Sequence, residues 1–335
     1  MRWFSARLKD RKDGETSSHG AEPILPGDAL RRLRLEASQV ADGVMSGFHA
    51  SARLGRGIEF AGFRSYVPGD DLRFLDRRRS LSDTGLLVRQ YAIERDRQLL
   101  TIVDGSASMG LAPGLAPGLA PGLARGQGLL RKRRWADVLA AALVRIAAAQ
   151  GDAACAATIG QTWAVSGFFR GKKAFERATE VLQRPGRSDV ALPRSDAAPE
   201  AALAGAIARV ARGAGWVVLL SDFLDERPPL MGLLAEARGR GAHVLAVRIE
   251  APEERDFPFE ETVHLRCPET LDRLETFGPA ARTRYLGARA GHRAATTALL
   301  TARGISVVDA CTDDQPARVL VQAIEALRRR SSAVK

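Results

Sequence analysis

The sequence predicts a doubly wound α/β fold on a mostly parallel sheet with an antiparallel edge strand, preceded by a small strand-rich region. Three observations predict it. Short apolar runs bounded by charge or glycine, Leu99 to Val103 and Trp216 to Leu220 among them, have the continuous hydrophobicity of strands buried on both faces. Between such runs lie segments whose apolar residues recur at helical spacing, as Trp135, Val138, Leu139, Ala142, Leu143 and Ile146 do. Gly160-Gln161 separates two further runs by the length of a tight hairpin, which predicts the antiparallel edge.

Residues 1–22 are charged, aperiodic and contain Ser and Gly, the composition of a disordered tail. From Asp28, which supplies a cap, Ala29 to Glu36 reads as a short helix. Gly55, Gly57, Pro68, Gly69 and Gly85 then punctuate short aromatic and β-branched runs, Glu59 to Val67 and Leu86 to Tyr91. The strand-rich region is therefore drawn over residues 23–95 and the α/β domain over 96–335. In that domain the strand at 99–103 is followed by a helix over about 134–149 and the runs Ala154 to Ile159 and Thr162 to Phe168. Helices near 172–183 and 199–211 lead to the strand that ends before Ser221. Helix 229–240, strand 243–249, a long helix over 278–303, strand 305–310 and a final helix 316–330 complete the alternation. Within it the motif Leu-Ala-Pro-Gly repeats over residues 111–122 and ends in Leu123-Ala124. Proline at every fourth position forbids a regular helix or ladder and predicts an exposed insertion, read as a tolerated expansion or as a lid.

Composition narrows the function classes. The net charge of +11 and the clusters Arg77 to Arg79, Arg131 to Arg134 and Arg328 to Arg330 invite a nucleic-acid reading. Against it, the basic residues are almost all Arg in a chain also rich in Ala and Gly, and aromatics are scarce and not interleaved with the basic runs. No stretch of uninterrupted apolar residues is long enough to span a bilayer, because Arg145 cuts the Ala-rich segment from Val138 to Ala149. The start, Met1 to Arg7, lacks the apolar core of a secretory signal, so a cytoplasmic location is expected. Cys155, Cys267 and Cys311 are widely separated, which suits reduced thiols and excludes a CxxC metal site. His19, His49, His243, His264 and His292 share no ligand spacing.

The chemistry concentrates at strand ends. Asp104-Gly105-Ser106-Ala107-Ser108 follows the first buried strand, where open α/β sheets bind ligands, and delivers one carboxylate and two hydroxyls from a turn that Gly105 and Gly110 ease. Ser221-Asp222 brings a second carboxylate to the end of another buried strand. A further hydroxyl comes from Ser195, directly before the helix at 199–211, or from Ser188. Hard oxygen donors without thiolate or imidazole favour magnesium, manganese or calcium over zinc or copper. Catalytic motifs fail on particular residues: no G-x-S-x-G surrounds either serine, and there is no P-loop and no G-x-G-x-x-G opening a helix after a strand. The best enzymatic alternative is magnesium-dependent phosphoryl transfer through Asp104, although Ser106 stands where a second acid would be wanted and no lysine lies at a strand end.

Together, D-x-S-x-S, a hydroxyl before a later helix and an aspartate after a later strand resemble the von Willebrand factor A fold and its metal-ion-dependent adhesion site. The string from Glu59 to Asp76, which contains Pro68-Gly69-Asp70-Asp71, followed by Leu87 to Tyr91 and Glu94 to Asp96, is similar to the signature of the bacterial domain of unknown function 58 (DUF58) family. Arg77 stands where family members carry tryptophan, and a serine stands for the family's threonine. The resemblance implies Mg2+ or Mn2+ at Asp104, Ser106, Ser108, Ser195 and Asp222, and a binding rather than a catalytic role. It also implies a partner that supplies an Asp or Glu to the metal, namely a MoxR-type AAA+ ATPase, with work in assembly or maturation of other complexes. Asp70 and Asp71 either cap their turn and pair with Arg73 and Arg77 or dock a basic surface on a partner.

Overall fold

The computed structural model describes residues 5–7, 26–51, 60–67, 86–91, 97–110, 132–160, 163–183, 199–224, 228–266 and 273–331. The chain divides into two units, residues 46–96 and residues 1–45 together with 97–335. In chain order the first elements are β1 (Ser5–Arg7), α1 (Pro26–Ser51), β2 (Phe60–Ser65) and β3 (Leu87–Tyr91). The smaller unit is built on the antiparallel pair β2 and β3, in register from Ser65 with Leu87 to Phe60 with Tyr91 and bulged between Phe60 and Gly62. Asp70 and Asp71 lie outside the described residues.

The α/β unit continues with β4 (Gln98–Gly105), α2 (Lys132–Ala149), β5 (Ala153–Gly160), β6 (Ala164–Val165), α3 (Gly171–Leu182) and α4 (Pro199–Arg212). Next come β7 (Trp216–Ser221), α5 (Pro228–Gly239), β8 (His243–Glu250), α6 (Pro252–Asp256), β9 (Thr262–Arg266) and β10 (Arg273–Phe277). It closes with α7 (Gly278–Ala302), β11 (Ser306–Cys311) and α8 (Pro316–Ser331). Six strands form the central sheet in the order β11-β8-β7-β4-β5-β6, all parallel except the antiparallel edge β6 on β5. The fold is thus α/β with a mostly parallel sheet and one antiparallel edge pair. Alternation along β4 splits the core into two layers. Leu100 and Ile102 join Ala157, Val217 and Leu219 against Leu203 and Ile207 of α4 and Leu234 of α5, while α2, α3 and α8 pack together over the opposite face.

Several elements differ from the expectation. Helix α1 is far longer than the Ala29 to Glu36 segment, because Leu33, Ala37, Ala41 and Val44 continue one buried stripe. Asp28 sits in its first turn, and Arg34 donates to Thr179 Oγ1 of α3 at 2.9 Å while Arg134 of α2 pairs with Glu36 at 2.9 Å. The described residues 26–45 therefore group with the α/β unit. The edge strand is two residues long, since Ser166 Oγ instead of a carbonyl accepts the Ala156 N–H at 2.9 Å before an isolated bridge joins Ala154 to Phe169. Elements α6, β9 and β10 fill a stretch in which periodicity predicts nothing. There β9 pairs antiparallel with β10 on one side and on the other with β1, inside the stretch read as tail. Among the described residues no helix is long and apolar enough to cross a membrane.

Candidate functional site

Strand β4 lies between β5 and β7, so the connection after β4 runs to β5 on one side while the connection after the adjacent β7 runs to β8 on the other. Loops diverge there and open a crevice over the strand ends. Asp104 ends the buried run of β4, and its Oδ1 accepts the Ser106 N–H at 2.8 Å, which folds the chain back over the strand end. Gly105 is needed at this bend, because a Cβ there would lie 2.9 Å from Ile159 O and 2.7 Å from Arg133 Nη1. Ser108 opens a single 3-10 turn to Gly110, and its Oγ stands 3.1 Å from Ser106 Oγ.

Strand β7 completes the cluster. Ser221 Oγ donates to Asp104 Oδ2 at 2.6 Å and accepts the Phe223 N–H at 3.0 Å. Asp222 Oδ1 accepts the Leu224 N–H at 3.2 Å, and the Ser108 hydroxyl hydrogen-bonds the Asp222 carboxylate. Phe223 holds a left-handed φ of 55°, a strained conformation for a side chain of this size, fixed by burial of its ring in the apolar layer beneath. Asp104, Ser106, Ser108 and Asp222 are all buried and brought together as the sequence predicts. Ser195 and its competitor Ser188 lie outside the described residues.

Sequence reasoning missed three members. One is Ser221, directly before Asp222. The second is Lys132, at the start of α2 and 0% exposed, whose Nζ lies 2.9 Å from Asp222 Oδ2 and 2.7 Å from Glu254 Oε1. The third is Glu254 in α6, whose other oxygen accepts the Ala251 N–H at 2.7 Å. Lys132 sits in a basic run that reads as surface, yet it lies three residues before Trp135 and seven before Leu139, on the buried stripe of α2. No lysine is needed at a strand end when a helix start brings one to the site.

The charges depend on one another. Burial alone would push the Lys132 ammonium toward neutrality, but Asp222 and Glu254 outweigh that and hold its pKa above the ordinary lysine value. Burial likewise opposes ionisation of Asp222, and Lys132 overcomes it, leaving the carboxyl below its usual range. Glu254 goes the other way, since burial outweighs its attraction to Lys132 and raises it. Two carboxylates do not therefore stand alone against an ion, because Asp222 already has a cationic partner.

Chemically the cluster is a set of hard oxygens without sulfur or imidazole. Among the described residues no group of three or more His, Cys, Asp or Glu side chains is arranged to hold a metal, so cation binding here would draw on serine oxygens beside Asp104 and Asp222. Such a donor set suits Mg2+ or Mn2+. Beside it lies a largely apolar cavity of about 240 Å³, reached by Asp104 and Ser221 and walled by Phe223, Met231, His292 and Leu299.

Residues 62–295 match the family described as protein of unknown function DUF58. Uncharacterized proteins of Mycobacterium tuberculosis and Mycobacterium bovis are 28% identical to this chain over 313 residues, covering 90% of it and 89% of theirs. Among solved structures it is similar to the conserved hypothetical protein BatB from Bacteroides thetaiotaomicron (12% identity, TM-score 0.36). It is also similar to an aerotolerance-related membrane protein from Bacteroides fragilis (11% identity, TM-score 0.39); each match covers 70% of this chain and 99% of the other. The family match spans both the segment around Pro68-Gly69-Asp70-Asp71 and the oxygen cluster up to Asp222 and Glu254, and the chain belongs to the DUF58 family.

Proposed function

We propose that this protein is a non-catalytic, divalent-cation-dependent interaction module with a von Willebrand factor A-like arrangement at its strand ends. The observation that supports this most is the convergence of Asp104, Ser106, Ser108 and Asp222 into one hydrogen-bonded oxygen cluster beyond β4 and β7. These residues, with the hydroxyl of Ser195 or Ser188, would hold Mg2+ or Mn2+. When bound, such an ion supplies an electrophilic centre for a carboxylate from another protein. The chain's own part is preorganisation: Ser221 and the Ser106 N–H orient Asp104, and Ser108 and the Leu224 N–H orient Asp222. The neutral serines add oxygen without charge, so an incoming Asp or Glu meets little repulsion from them.

The family resemblance points to a MoxR-type AAA+ ATPase as the partner, in the cytoplasm, with a role in assembling or maturing other complexes. Phosphoryl transfer through Asp104 is the second reading, and a lysine beside the site favours it. Against it, the fully buried Lys132 ammonium is engaged by two carboxylates instead of facing a substrate. Co-purification of the full chain with a MoxR-type ATPase under crosslinking tests the proposal. Capture should fall on chelation and in Asp104→Ala; phosphatase turnover that vanishes in Asp104→Asn would instead establish the enzyme.

A further inference from the structure

We infer that Lys132 is a built-in cation that competes with a divalent ion for Asp222, with Glu254 as the counter-ion onto which it is released. The inference rests on the ion-binding reading of the same cluster. Taking an ammonium out of water is costly, and only carboxylates held around it offset that cost; Lys132, with no exposure, has two, at 2.9 and 2.7 Å. The pair Lys132 and Asp222 therefore does for the cation-free protein what an ion would do, neutralising a carboxylate beside Ser108 and Asp104.

A divalent cation sharing Asp222 would stand close to the ammonium in a medium that screens poorly, and the two would repel. Lys132 has somewhere to go. Glu254 is fixed beside the ammonium by the Ala251 N–H on one oxygen, and its own carbonyl accepts the Tyr285 hydroxyl at 2.9 Å. The second carboxylate lets Lys132 give up Asp222 without becoming an unpaired buried charge.

The consequence is a pair of substitutions with opposite effects. Lys132→Met removes the competitor and frees Asp222, so cation binding tightens. Glu254→Gln leaves Lys132 with Asp222 alone, so cation binding weakens. Arg134→Met makes the same change in net charge two residues along α2, but Arg134 pairs with Glu36 on α1 and is absent from the cluster.

The test is Mn2+ titration of the full chain followed by electron paramagnetic resonance of the free ion, with Asp104→Ala marking the site. Mn2+ affinity should rise roughly tenfold in Lys132→Met, fall about threefold in Glu254→Gln and change less than about twofold in Arg134→Met. Binding that Asp104→Ala removes, yet that is unchanged or weaker in Lys132→Met, would overturn the competition while leaving the cation site standing. Absence of Asp104-dependent binding in every variant would overturn both. Should Lys132→Met fail to fold without ion, Glu254→Gln decides, and unchanged or tighter binding there would sink the inference.

Discussion

Ser221 Oγ donates a 2.6 Å hydrogen bond to Asp104 Oδ2 and so ties the end of β7 to the end of β4. Both residues are buried, and the bond is a short, charge-assisted one. Ser221→Ala leaves a carboxylate oxygen in the interior without this donor, which should cost roughly 1.5–3 kcal/mol in urea unfolding. Ser221→Thr, which keeps the hydroxyl, should recover most of the loss. Equal stability of wild type and Ser221→Ala would show that Asp104 is held by its other contacts.

Asp137 gives a pH signature. On α2 it is buried, and burial lifts its carboxyl to about 6 although Arg133 pairs with it at 2.9 Å. A folded pKa above the unfolded value means that the folded chain binds the proton more tightly. The associated stability is fully present below about pH 4 and is lost as the pH rises through about 6. Relative to Asp137→Asn, the wild type should lose roughly 2–2.5 kcal/mol between pH 4 and 7 by urea unfolding at fixed ionic strength. A flat difference across that range would mean that Asp137 is ionised throughout.

The two strands that build the site are legible in the sequence because strands buried on both faces show as unbroken apolar runs, and their acidic ends are then conspicuous. Asp104, Ser106, Ser108 and Asp222 follow from that logic alone. Lys132 and Glu254 do not, for opposite reasons. Lys132 is masked by Arg131, Arg133 and Arg134, and only its phase with Trp135 and Leu139 betrays that it faces inward. Glu254 lies in a five-residue helix, too short to show a period, in a stretch whose β9 pairs with the distant β1. The same limit explains β1, β9 and β10. Helix α1 is underestimated because its buried stripe relies on small residues, Ala37 and Ala41, that carry little hydrophobic contrast.

The buried thiols should be inert. Cys155 has no exposure, and burial pushes its thiol up to about 11, while Cys311 is likewise buried and pushed up to about 12. In a Cys267→Ser background, Ellman's reagent should modify neither cysteine at pH 8 until denaturant unfolds the α/β unit. Rapid modification of one equivalent in the native state would show local opening of β5 or β11.

The Leu-Ala-Pro-Gly repeat lies outside the described residues, between the 3-10 turn at Ser108 and the start of α2. Loop-closure entropy varies only weakly with length, so deleting residues 111–122 should change unfolding stability by about 1 kcal/mol or less. A larger loss would mean that the repeat packs against the fold. Unchanged stability with lost partner capture would make it a lid over the site.

A divalent ion that binds the folded chain alone must stabilise it by mass action, by about 2.7 kcal/mol at a hundredfold excess over the dissociation constant. Mg2+ or Mn2+ should therefore raise the melting temperature in proportion to the logarithm of its concentration. Asp104→Ala should abolish the rise because it removes a carboxylate at the centre of the cluster, next to Ser221 and the Ser106 N–H. Ser106→Ala combined with Ser108→Ala should reduce it while sparing the strands, since both serines lie beyond the end of β4. Replacing Ser195 and Ser188 separately identifies the remaining hydroxyl, because only the residue that donates oxygen to the ion will diminish the shift. Equal shifts in wild type and Asp104→Ala would place cation binding elsewhere on the chain, with the acidic pair Asp70 and Asp71 the next residues to replace.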